Sequence, residues 1–180
     1  MLHAVDSKLF MVDPGLQVES AHLKHLLAYW RGKCDGARLP SRAAIDPVEL
    51  SRHLGHLYLI DVIAAPLSFR YRLVGVHIAD TIAADPTGFF LDEAVGTEAL
   101  PDRRQTLEWV VTARAPLRLY GRTRLPGRSS IGFEALKLPL SSDGDKIDVV
   151  LCTLRFEEAR VLLANRIPSF AHAGAPGLAG

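Results

Sequence analysis

The sequence predicts an α+β domain: a five-stranded antiparallel sheet with helices gathered on one face and an amphipathic helix in front. Three observations carry this expectation. Of 180 residues, 48% are hydrophobic and 23% charged, the composition of an ordinary globular chain about one domain long. The hydrophobic period is helical at first, becomes strand-like after Gly55, and alternates again in the last third. Short turn signals, Ala64-Ala65-Pro66-Leu67, Pro126-Gly127 and Asp143-Gly144, separate the strand-like runs.

Residues 1–19 read as an N-terminal extension, 20–156 as the folded domain, and 157–180 as a short helix followed by a tail of Ala, Gly and Pro. The first helix is expected over Ser20–Arg31, with Ser20 as N-cap and Gly32 as stop. Its apolar stripe is Leu23, Leu26, Leu27 and Trp30, at i, i+3, i+4 and i+7. Such a stripe either packs on its own domain or pairs with a second copy, so these four residues are the candidate partner or dimer face. A short helix is expected after Asp46, with Pro47 at the first helical position, Glu49 as a capping-box partner, and Ile45 and Leu50 as a hydrophobic staple.

His56–Ile63 and Ser68–Val74 form the first predicted hairpin, with Phe69, Tyr71 and Leu73 facing one way and Arg70 and Arg72 the other. A helical segment follows through Val76, Ala79, Ile82 and Ala83, ended by Asp85-Pro86-Thr87-Gly88. A longer helix is predicted over Pro101–Ala113, with Leu107, Val110 and Val111 inside. Leu117–Leu125, Ser130–Leu140 and Lys146–Phe156 complete the sheet as a meander.

Charge and cysteine content exclude several classes. Lys and Arg total 21 against 20 acidic residues, for a net charge of +1, so the chain is not a polycation. Cys34 and Cys152 make no disulfide framework and no zinc-type spacing. The N-terminus lacks the basic stub and apolar run of a secretory signal, and no apolar run is long enough for a membrane span. The expectation is a reduced, cytoplasmic protein with no membrane partner.

Six short motifs then occur in order: Tyr29-Trp30-Arg31, Leu39-Pro40-Ser41-Arg42, Ile45-Asp46-Pro47, Leu59-Ile60-Asp61-Val62, Phe69-Arg70-Tyr71-Arg72-Leu73-Val74-Gly75 and Asp85-Pro86-Thr87-Gly88. With Leu138-Pro139-Leu140 further on, this pattern resembles a bacterial family of short, single-domain PAS-like proteins over 20–156. The β-β-α-β-β-β order read from periodicity is also that of a PAS fold. The resemblance implies a non-enzymatic sensory or signalling module that binds a small ligand under its helical insert, or dimerises through a flanking helix. With no output domain in the sequence, the expected partner is a signalling protein acting in trans.

The residues identify no cofactor. A haem sensor needs an axial histidine on a helix facing the pocket, and Pro101–Ala113 contains none. His77 is the candidate nearest the pocket and reads as an exposed helix-start histidine. A flavin photosensor of this type carries an Asn-Cys-Arg setting, which is absent. His22 with His25, and His53 with His56, have no acid or thiol to complete a metal set. No Gly-x-Ser-x-Gly, Cys–His pair or phosphate loop marks an enzyme. The candidate pocket residues are Tyr58, Phe69, Tyr71, Phe89, Leu107 and Trp109, with Phe90 nearby; the ligand is left open.

Arginine supplies the alternative reading. Arg103, Arg104, Arg114, Arg118, Arg122, Arg124 and Arg128 fall in one stretch whose acid is Glu108. Alternation puts Arg118, Tyr120, Arg122 and Arg124 on one face, a candidate surface for a nucleotide or RNA. The simpler account is a solvated face whose arginines pair with acids on the Glu134 and Asp148 strands. That account argues against nucleic acid as the partner.

Overall fold

In the computed structural model, which describes residues 9–36, 38–123 and 130–156, the two halves of the chain meet along one strand. Strand β6 (Val149–Phe156) pairs antiparallel with β2 (Leu57–Ala64) on one side and β5 (Ile131–Leu140) on the other. The hairpin partners β3 (Leu67–Val74) and β4 (Leu117–Thr123) extend the sheet outward. The sheet has six strands rather than the expected five, in the order β1-β4-β5-β6-β2-β3. The added strand, β1 (Met11–Asp13), lies in the segment read as an extension. Three residues are too short for alternation to show; β1 is held by pairing with Arg118–Tyr120 of β4.

Strand β5 shows how the two faces are covered. Lys137 reaches Thr106 and the Arg103 carbonyl on α4 (Leu100–Ala113), while Glu134, three residues earlier, accepts from the backbone of Glu19 and Ser20 at the entry to α1 (Ala21–Gly32). An odd separation along a strand means opposite faces. Helix α1 therefore covers one side, and the insert helices α2 (Val76–Ile82), α3 (Leu91–Ala94) and α4 cover the other. Leu107 and Val110 of α4 are buried as predicted, with Val111 partly so.

The stripe of α1 is closed inside its own chain. Leu23 and Leu26 are fully buried, Leu27 and Trp30 nearly so, and Trp30 Nε1 donates to the Pro139 carbonyl at 3.0 Å. Leu136, Leu138 and Leu151 need a cover on this side of the sheet, and the stripe supplies it. These four residues are thus core, not a dimer face. Ser20 takes the N-cap position without a side-chain cap bond.

Two local expectations are also corrected. Residues 47–53 form successive turns rather than a helix, followed by a short 3-10 helix at Leu54–His56. The segment between Asp46 and Gly55 is too short to offset helix nucleation. The staple residues Ile45 and Leu50 are still buried, but Glu49 pairs with Lys33 at 2.7 Å instead of capping. On β3, Leu59 faces Leu73 and Ile60 faces Tyr71, so Arg72 is an extra, bulged residue. Beyond the bulge the facing reverses: Phe69 and Tyr71 are buried, but Leu73 is 48% exposed.

Gly75 joins β3 to α2 under the 3-10 helix. A Cβ there would stand 2.3 Å from the Leu54 carbonyl oxygen and 2.6 Å from the Gly55 backbone, neither of which can swing aside. Gly75→Ala is expected to lower stability by about 1–3 kcal/mol, read as a lower urea midpoint; an unchanged midpoint contradicts this packing. Leu26→Asp buries a charge without a partner and should cost about 3 kcal/mol or more. Circular dichroism should show a lowered melting temperature, whereas a folded protein with a changed oligomeric state would restore the dimer face.

Candidate functional site

The face under the insert helices does not close completely. Phe133, Ala135 and Lys137 of β5, Leu154 and Phe156 of β6, Tyr58 of β2 and Tyr71 and Val74 of β3 form its floor. Ile78 and Ile82 of α2 and Arg103 of α4 form its roof, with Leu9, Phe10, Pro86, Glu98 and Arg122 among the remaining lining. The enclosed volume is about 570 Å³, within the range of small-molecule sites. The bulge at Arg72 is what returns Val74 to this side.

Polar groups in the floor follow from register. Lys137 pairs with Cys152, and Cys152 with Tyr58, one cross-strand row over three strands. Lys137 is 4% exposed; its Nζ donates to Thr106 Oγ1 and, at 3.5 Å, to the Arg103 carbonyl. Among the described residues no carboxylate lies within ion-pair distance of it. Burial lowers the Lys137 pKa to about 8, and Arg103 acts in the same direction. Burial pushes the Cys152 thiol up to about 11 and the Tyr58 hydroxyl well above its ordinary value. A thiol so shifted is a poor nucleophile. The site can hold and orient a molecule with an apolar body and a polar group that meets the ammonium.

Of the expected pocket residues, Tyr58 and Tyr71 line the cavity. Phe69 and Leu107 are buried in the packed core, and Trp109 is half-buried against it. Phe89 is 55% exposed: its carbonyl accepts from Tyr71 N at 2.9 Å, tying its backbone to the edge of β3 and leaving the ring outside. Lys137, Arg103 and the Phe133–Ala135 face were missed. Their signal was a lysine at an inward position of an otherwise apolar strand, Ala135-Leu136-Lys137-Leu138.

The arginine face is largely occupied. Arg118 is buried and meets Glu134 at 2.6 Å, Asp13 at 3.1 Å and Glu19 at 3.5 Å, with its guanidinium over the Tyr120 ring. Arg122 donates to the Ser130 carbonyl at 2.6 Å and to Ser130 Oγ. Arg124 lies outside the described residues. Pairing with Glu134 is as the simpler account expects, and Arg118 is not available as an anion site.

The histidines come together in a way sequence spacing did not suggest. His25 Nδ1 and His53 Nε2 are 2.9 Å apart in stacked rings, His22 approaches His53 edge-on, and His56 rests on His77. His77 thus belongs to this cluster and not to the cavity lining. Among the described residues, no group of three or more His, Cys, Asp or Glu side chains is arranged to hold a metal. Burial, then Arg155 and His77, lower the His56 pKa to about 4, against 6.5 when unfolded. Between those values the unfolded chain binds the proton and the native one does not, so stability falls as pH drops from about 6.5 to 4. Unfolding free energy measured across that interval should decline, and His56→Gln should flatten the decline; a wild-type protein insensitive to pH there would contradict it.

A family model described as the PAS domain matches residues 18–155, nearly the span of the motifs. No curated protein matches the chain. No helix among the described residues is long and apolar enough to cross a membrane.

Proposed function

The chain belongs to the PAS domain family, whose members are generally non-enzymatic sensory and signalling modules, and we propose that it senses a small molecule held in the cavity under α2 and α4. The observation that carries this reading is the cavity of about 570 Å³ between the sheet and the insert helices. A ligand there touches the sheet on one side and Ile78, Ile82 and Arg103 on the other. It biases the position of α2 and α4 if it binds one packing better than another. The signal then passes to a partner protein in trans. The nucleotide- or RNA-binding alternative has less support, since Arg118 is enclosed by carboxylates.

Ala135→Trp places a large ring in the cavity from the middle of β5. The neutral dye N-phenyl-1-naphthylamine should brighten on adding wild-type protein and stay dark with Ala135→Trp, whose fold is checked by circular dichroism. No brightening with the wild type, or equal brightening with both, overturns the reading.

A further inference from the structure

The cavity floor holds a positive charge that the protein itself does not neutralise. Lys137 has three N–H donors; Thr106 Oγ1 and the Arg103 carbonyl take two, both neutral acceptors. The row it belongs to continues into Cys152 and Tyr58, which burial keeps protonated, so no anion arises there. Arg103 adds a second cation to the cavity lining. Glu98, on the same lining, lies outside ion-pair distance of Lys137. Arg122, Thr123 and the two tyrosines also reach the lining, while Phe133, Leu154, Val74, Ile78 and Ile82 give it apolar walls. Desolvating an ammonium without an anion is costly, and that cost is recovered when a carboxylate arrives.

We propose that the ligand is an organic acid: an apolar body that fills the cavity and one carboxylate that accepts the third N–H of Lys137. One remaining donor on Lys137 suits a single carboxylate oxygen, and the apolar part of the lining suits an apolar body. The proposal rests on the cavity reading and goes beyond it by fixing the chemical class.

The test uses 2-naphthoate and its uncharged isostere 2-naphthamide, titrated calorimetrically into the full chain and into Lys137→Met. The wild type should bind naphthoate at least tenfold more tightly than naphthamide. Lys137→Met should bring naphthoate down to the naphthamide level and leave naphthamide binding unchanged. The variant should also melt no lower than the wild type without ligand, because it removes a buried charge and retains the side-chain volume. Equal binding of the two probes by the wild type overturns the acid assignment and leaves the cavity reading standing. So does naphthoate binding unaffected by Lys137→Met. Binding of neither probe overturns both.

Discussion

Strand β6 must satisfy two partners at once, and most of the molecule follows from how it does so. Its ladder to β2 and its ladder to β5 fix the registers of the two hairpins relative to each other. A slip of one residue on either side would send that hairpin's inward set to the wrong face. With the registers as they are, Lys137, Cys152 and Tyr58 fall in one row, and Ala135 and Leu154 in the next inward row beside it. The second row is smaller toward Ala135, and both rows contribute to the cavity floor.

A second constraint holds the opposite face. Arg118 gathers Asp13 from β1, Glu134 from β5 and Glu19 from the entry to α1. Glu134 also accepts from the Glu19 and Ser20 amides, so its charge is shared between a guanidinium and the start of α1. An ion pair this buried gives little net stability over an apolar substitute, because desolvation offsets most of the attraction. What it does is register: a three-residue edge strand, a central strand and a helix entry are tied at one point. Arg122 and Arg155 border the same surface, so acids and arginines are interleaved there.

Legibility divides along the same physical lines. The stripe of α1, the existence and order of the longer strands and the core of α4 are readable because each rests on repeated, local periodicity, although β6 begins at Val149 and not at Lys146. The family was readable for a different reason, the order of its short motifs. What could not be read depends on events without a periodic trace. Strand β1 exists only through its pairing with β4; the bulge at Arg72 exchanges the facing of Leu73 and Val74; backbone bonds of Gly88 and Phe89 to Tyr71 leave the Phe89 ring outside. Tyr58 and Tyr71 are legible because they precede the bulge or lie on a strand that lacks one. Lys137 is not legible as a site residue because a lysine in a strand reads as a wet-side residue, and only a strand covered on both faces makes it a buried charge.

That buried charge would also tie the proposed ligand to a helix. Lys137 donates to the side chain of Thr106 and the backbone of Arg103, one turn of α4. If holding α4 were its whole task, a neutral donor would do so at lower desolvation cost. An ammonium has one further donor, and the group that takes it competes for the same nitrogen that anchors α4. An acid bound at Lys137 draws on the anchor directly: it either pulls the ammonium away from Thr106 or strengthens the whole set by keeping the proton in place. Either effect changes how firmly α4 sits on β5 without any ligand contact to the helix backbone. In the proposed reading, occupancy of the cavity and the packing of the insert are thus joined through a single side chain.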